Sequence, residues 1–394
     1  MYKKIVFAIG VYLVSFGIFA QNSSLKMLLQ QIQQNNKNLI AYTHLNTSKK
    51  LQLKTTNNFS DPQIGAYFLP WGTHNDGDYS EIEITQSFEF PTVYSSRKNL
   101  IKKQQKNADL SYDILRQTVL LKAQKQGLNY LSLHHKEILE KERLQQASKI
   151  FKQTQELFNK EHVGILALNK AKLAWMQAQF KLEKLQSEQQ TALKLLENLN
   201  GNIPIDLKDV LTESSLEILL FEKLWLEKTS EDPNLLQLKQ QAIIANQSFL
   251  VAKNQSLPNI SVGYSYQGVS GANYSGVYAG ISIPIWKNKH KVKAAKATYT
   301  FKQQQVATRL SEAKVMYEQV YTNYKISQNN YTKYQQALAI LNSEKLLFKA
   351  YELGEISFMD YYVEVQYYRD AIDTKNELKN EVQLLMADLL QHQL

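Results

Sequence analysis

Few residues in this chain are arranged for covalent chemistry. Glu81 and Glu83, in YSEIEITQSFEFP, stand two apart, and a pair of carboxylates can divide the work of general acid and general base. Alternation along a strand, however, puts both on one face with Thr85, Ser87 and Glu89, where the charged wall of a water-filled passage accounts for them better than catalysis. His134 and His135 are adjacent and so point to different faces of a helix, and the other five histidines are scattered. No GxSxG, Walker A lysine or HExxH occurs. With no cysteine and only dispersed His and Met, the chain shows no metal-selecting site and no cofactor motif. Conduction of a solute needs only a polar passage and a gate.

The elements carrying these residues read as strands. After Pro62 and Pro258 come runs of about ten residues, each followed by a turn (GTHNDGD, GVSGAN) and a second run. Ile82, Ile84, Phe88 and Phe90 oppose Glu81, Glu83, Thr85, Ser87 and Glu89; Ile260, Val262, Tyr264 and Tyr266 oppose Asn259, Ser261, Gly263 and Ser265; Val277, Ala279, Ile281, Ile283 and Ile285 oppose Gly276, Tyr278, Gly280 and Ser282. Strands of about ten residues suit a tilted bilayer crossing, and the aromatic residues Tyr67, Phe68, Trp71, Tyr274 and Trp286 at their ends suit an interfacial belt. Four strands cannot close a barrel and lipid tolerates no open edge, so a membrane form must pool strands from two copies or three.

The hairpins belong to an internal repeat. NLIAYTHLNTSKKLQLKTTNNFSDPQIGAYF from Asn38 aligns with NLLQLKQQAIIANQSFLVAKNQSLPNISVGY from Asn234; SFEFP aligns with GISIPIW, and LFNKEHVGI from Leu157 with LFKAYELGE from Leu347. Each unit reads helix, strand, turn, strand, long helix, short break, helix. The expected boundaries are 21–200 for the first unit, 201–231 for a connecting segment and 232–394 for the second.

Between the hairpins and the breaks, glycine and proline nearly vanish. Runs from about Tyr94 to Asn159 and from about Lys287 to Ala350 would each reach roughly 95 to 100 Å as helices. The second repeats every seven residues, with Leu310, Tyr317, Tyr324, Tyr331 and Leu338 at one position, Val306, Ala313, Val320 and Tyr334 at its partner, and Ser327 as an interruption. The first has Ile114, Leu121, Leu128, Leu131 and Ile138, interrupted by Gln117 and Gln124. These are packing seams, and the breaks at Gly164 and Gly354 return the chain as antiparallel helices.

Fourteen glycines and seven prolines in 394 residues favour a few very long elements over several ordinary domains. The absence of cysteine excludes disulfides, thiolate metal sites and a lipid-bearing cysteine. Net charge is +10, but lysines read as alternating with Glu and Gln along solvated helices, which argues against a nucleic-acid patch. MYKKIVFAIGVYLVSFGIFAQ has the basic start, short apolar run and small residue at Ala20 of a secretory leader, expected over 1–20.

Two tandem copies, a strand running onto a long helix, IPIWKNKHKVKAAKA after a hairpin, and YELGEISFMDYYVEVQYYRDA together resemble the TolC family of outer-membrane efflux proteins over essentially the whole chain from about Leu25. The resemblance implies a mainly α fold with a small β membrane domain: a homotrimer pools four strands per protomer into a twelve-stranded barrel over an α-helical periplasmic tunnel. It also implies an outer-membrane exit duct for a periplasmic adaptor and an inner-membrane resistance-nodulation-division pump. The short chain and hairpin texture look like the components that serve heavy-metal pumps. The family's Val-Gly-Leu tip, which meets the adaptor, is matched by Val163-Gly164-Ile165 and more weakly by Leu353-Gly354-Glu355. Its inward aspartate at the closed entrance is matched by Asp360. The second such aspartate is replaced by Val363, and the first-repeat counterpart is Lys170, so an Asp360 to Lys170 contact could close the entrance. The chain's own residues leave a type I protein-secretion duct, a porin and an exported coiled-coil structural protein as other readings.

Overall fold

The computed structural model describes residues 23–71, 78–207, 220–269, 271–341 and 343–394. The expected leader and most of the first hairpin turn lie outside the described residues. The first unit runs α1 (Ser23–Asn35), α2 (Lys37–Thr55), β1 (Gln63–Leu69), β2 (Tyr79–Phe88), α3 (Pro91–Asn159) and α4 (Ile165–Leu199). The second runs α5 (Phe221–Glu231), α6 (Pro233–Asn254), β3 (Asn259–Val269), β4 (Ala272–Ser282), α7 (Lys291–Ile340), α8 (Ser343–Glu352) and α9 (Phe358–Leu389), and a 3-10 turn follows at Gln391–Gln393. Within the expected connector, α5 takes the place in the second unit that α1 takes in the first.

Capping chemistry marks the repeat. Asn36 stands between α1 and α2 and accepts from the backbone N–H groups of Asn38 and Leu39; Asp232 stands between α5 and α6 and accepts from those of Asn234 and Leu235. Each side chain satisfies two orphan donors at the helix start. Pro233 follows at the first helical position, where its missing N–H leaves nothing unpaired.

The strand-to-helix joins differ. In the first unit Phe88 ends β2 and Pro91 opens α3, with Arg97 and Glu89 paired at 2.5 Å and the Glu89 N–H donating to the Tyr94 hydroxyl at 3.1 Å. In the second, β4 stops at Ser282, short of Ile283 and Ile285, which were expected in the strand. A turn then intervenes, and α7 starts at Lys291 instead of Lys287, because His290 takes up a left-handed conformation (φ 66°) and the Asn288 amide ties the turn to the Gln255 carbonyl at 2.5 Å.

At 69 residues, α3 is about 100 Å long. Its one glycine, Gly127, lets α1 approach: a Cβ there would lie 3.3 Å from Leu25 and 3.6 Å from Leu28. The expected continuous second run is instead interrupted between α7 and α8, where Leu341 leaves helical geometry (φ −93°, ψ 92°). The α7 seam is as expected at Tyr317 and Tyr324, both buried. Ser327 does not interrupt it: it is buried too and donates to Glu381 on α9 at 3.1 Å. Similarly Gln117 is buried in α3, donating to the Gln391 carbonyl and accepting from Asn234. Ile138, in contrast, is 45% exposed and lies off the α3 seam; neighbouring Glu137 and Glu140 take the buried places.

Three buried clusters tie the helices together. Leu28, Ile32, Leu39, Leu120, Ala123 and Leu196 join α1 to α4; Leu224, Tyr317, Tyr324, Val382 and Leu389 join α5, α7 and α9; Ile150, Ala171, Tyr361 and Val365 join α3, α4 and α9 near the far end. The α3 and α4 contacts run antiparallel, with His134 beside Gln189, Glu137 beside Gln186, and Phe151 stacked on Trp175 at 5.4 Å.

Candidate functional site

The four strands form one antiparallel sheet in the order β1-β2-β3-β4, with both edges open. Register sorts their side chains into two faces, since directly opposed residues point the same way. Ile84 lies between Ile64 and Tyr264, Ile82 between Ala66 and Tyr266, and Val262 opposite Ala279. This apolar face is open to the surroundings, with Ile64 74%, Ile281 71% and Val277 92% exposed. A soluble sheet would cover such a face.

The other face carries polar rows. Tyr67, Glu81, Gln267 and Tyr274 form one row, and Gly65, Glu83, Ser265 and Gly276 the next. Glu81 accepts from the Tyr79 hydroxyl at 2.6 Å, from Gln267 at 3.2 Å and from Ser265 at 3.3 Å. The Glu81 carboxylate is thus held in a hydrogen-bonded wall.

This register divides the residues of the expected aromatic belt between the two faces. Tyr67 and Tyr274 share the face of Glu81, whereas Phe68, opposite Ser80, shares the face of Ile82. Trp71 follows β1 at the hairpin end of the sheet and is 91% exposed; Trp286 follows β4 at the helix end and is 80% exposed. Phe59, absent from the expected belt, packs on Phe88 at 5.7 Å and on Tyr94 at 4.9 Å at that same end. Its signal is weak in the sequence because it precedes the strand and has no alternating partners.

At the opposite end of α3 and α9 lie the two tips. Both long arms end in the same turn: the N–H of Glu161 bonds the Phe158 carbonyl and that of His162 the Leu157 carbonyl, while Gly354 bonds Tyr351 and Glu355 bonds Ala350. Glu161 (φ 60°) and Gly354 (φ 76°) are the left-handed residues. The next helix starts three residues on, at N-caps Gly164 and Ser357. The tips therefore superpose with an offset of 193, so Ile356-Ser357-Phe358, not Leu353-Gly354-Glu355, is the counterpart of Val163-Gly164-Ile165. Leu353 and Ile165 are nonetheless both exposed, at 63% and 52%.

The same shift separates Asp360 from Lys170 in the repeat, since Lys170 now aligns with Val363. Asp360 closes a capping box with Ser357: its carboxylate accepts from the Ser357 N–H at 3.3 Å and hydroxyl at 2.6 Å. Both Asp360 and Lys170 are exposed, and no ion pair joins them among the described residues.

Above the tips, α3, α4 and α9 enclose a groove of about 160 Å³. Arg143, 5% exposed, pairs with Glu140 at 2.5 Å and with Asp373 at 2.9 Å, and Lys181 reaches the same two carboxylates at 2.8 and 3.2 Å. Burial works against the Arg143 charge, but Asp373 and Glu140 outweigh it and hold the guanidinium protonated more firmly than usual. Tyr361 lines the groove with its hydroxyl buried and unpartnered, and burial raises its pKa. Among the described residues, no group of three or more His, Asp or Glu could hold a metal ion, and no helix is long and apolar enough to cross a membrane.

No family model matches the chain, and no curated protein matches it in sequence. Solved structures do. The chain is similar to CusC, described with its folding and transmembrane channel formation, at 15% identity and TM-score 0.75, over 94% of this chain and 91% of that one. It is similar to the outer-membrane protein VceC of Vibrio cholerae at 14% identity and TM-score 0.73, over 93% and 95%, and to the CmeC outer-membrane channel of Campylobacter jejuni at 16% and 0.68, over 94% and 85%. Likeness over 93% or more of this chain to three such channels shows that it has the fold of the TolC-family outer-membrane channels.

Proposed function

We propose that this protein is the outer-membrane exit duct of a tripartite efflux system. The observation that carries the reading is a four-stranded sheet, apolar on one open face and polar on the other, standing on long helical arms of which α3 alone is about 100 Å long. Closing the two free edges in a homotrimer makes a twelve-stranded barrel, with Ile64, Val277 and Ile281 toward lipid and Glu81 and Glu83 toward the passage. The arms then extend through the periplasm. Their tips, with exposed Ile165 and Leu353, meet a periplasmic adaptor that couples the duct to an inner-membrane resistance-nodulation-division pump. Transport is passive on the duct's side, and no enzymatic step is involved.

Asp360 and Lys170, both exposed near the tips, are proposed to narrow the entrance through contacts between protomers. Heavy-metal cations are the proposed cargo, with the choice of ion made by the pump. The test is deletion of the gene with plasmid complementation, scored for growth against divalent metals, dyes, detergents and antibiotics. Sensitivity confined to metals supports this cargo, and broad sensitivity to amphiphiles reassigns the duct to drugs. No sensitivity with the protein expressed overturns the efflux reading.

A further inference from the structure

The charge of the chain is not evenly mixed, as its alternation with Glu and Gln had suggested. No Asp or Glu occurs between Asp232 and Glu312, a span that includes β3, β4 and the start of α7. Within it, Lys287, Lys289, His290, Lys291, Lys293 and Lys296 fall on ten consecutive positions. All six are exposed, and none makes an ion pair or side-chain hydrogen bond among the described residues. By contrast, Lys136, Lys141, Lys181 and Lys184 on α3 and α4 each reach a carboxylate.

The cluster is placed where the sheet meets the helices. Immediately before it, between the end of β4 and the start of α7, come Ile283, Ile285 and Trp286, 69%, 65% and 80% exposed. Lysines next to an exposed tryptophan at the edge of an apolar band match the chemistry of a membrane surface: the ring sits at headgroup depth and the ammonium groups reach lipid phosphates. The first unit repeats the bias, since Arg97, Lys98, Lys102, Lys103 and Lys106 follow its join with no acid between Glu89 and Asp109.

We infer that the segment Trp286–Lys296 is a collar that binds anionic phospholipid headgroups of the leaflet adjoining the helical arms. This rests on the outer-membrane reading given above. The collar fixes the depth of the barrel: Trp286 marks the interface and the lysines hold the first turns of α7 against it.

The test uses the purified full-length protein in detergent, offered equal amounts of dioctanoyl phosphatidylglycerol and dioctanoyl phosphatidylcholine, with retained lipid counted by native mass spectrometry. Retention of phosphatidylglycerol about tenfold or more above phosphatidylcholine is expected. The preference is lost when Lys287, Lys289, Lys291 and Lys293 are all changed to Gln, and survives when all four are changed to Arg, which also controls for folding. Millimolar inorganic phosphate does not displace the lipid. Equal retention, an unaltered preference in the Gln variant, or displacement by phosphate overturns the collar. Fractionation of the same cells separates the two ideas: a chain absent from the outer membrane contradicts the channel reading, whereas one present there with no lipid preference contradicts the collar alone.

Discussion

Glu161 and Gly354 occupy the same left-handed position at the ends of the two helical arms, with φ of 60° and 76° and matching bonds to Phe158 and Tyr351 of 2.9 and 3.0 Å. A side chain in this conformation is strained and a glycine is not. Glu161→Gly is therefore expected to stabilise the first tip by about 0.5–1 kcal/mol, and Gly354→Ala to destabilise the second by about 1 kcal/mol. Gly164→Ala is expected to cost less than Gly354→Ala, about 0.5 kcal/mol from the N-cap preference, since Gly164 has φ −82° and open space around its Cα. Thermal unfolding of the three variants checks the order.

The Arg143 network should be the most sensitive point between the arms. Removing the guanidinium as Arg143→Met leaves the Glu140 carboxylate, 5% exposed, with Lys181 as its remaining cation. A loss of about 3 kcal/mol is expected. Lys181→Met is expected to cost less than about 1 kcal/mol, because its side chain is half exposed. Denaturant unfolding of both variants measures the difference.

Asp232 caps α6 and also pairs with buried Lys228 at 2.6 Å. Asp232→Ala removes a cap and strands a cation, with an expected loss of about 3 kcal/mol. Asp232→Asn keeps the capping oxygen and is expected to cost less. Equal losses for the two variants would mean that the cap contributes nothing beyond the ion pair, which both variants remove.

His392 gives the fold a pH dependence of definite sign. Its ring is buried with both nitrogens unpartnered by hydrogen bonds. Burial, and then Lys228, depress its pKa, against a smaller opposing pull from Glu227 and Glu231. The unfolded histidine takes up its proton near pH 6.5 and the folded one only at lower pH. The unfolded state thus binds more protons in that window, so stability falls as pH drops below about 6.5. His392→Gln should flatten the melting temperature measured between pH 7 and 5.

Much of this architecture is legible in the sequence because it rests on periodicity. Alternation in YSEIEITQSF gives the two faces of β2, and the seven-residue spacing of Tyr317 and Tyr324 gives the α7 seam. Features decided by three-dimensional context are not legible. The left-handed turn at Glu161 has no glycine to announce it, so matching the two tip glycines misaligns the repeats by three residues. Buried Gln117 and Ser327 read as interruptions until their partners Asn234 and Glu381 appear on other helices. Tyr67, Phe68 and Tyr274 read as one group because distance along a strand is easier to see than side. The face follows only from the register that opposes Tyr67 to Glu81.

The most direct test of the two-faced barrel uses the chain's natural lack of cysteine. Single cysteines at Tyr264, Ser265, Gly276 and Val277 in intact outer membranes are treated with a membrane-impermeant thiol reagent. Labelling at Ser265→Cys and Gly276→Cys, with protection at Tyr264→Cys and Val277→Cys that detergent and urea abolish, is the expected result. Equal labelling at all four positions would contradict a sheet that has lipid on one side and a water-filled passage on the other.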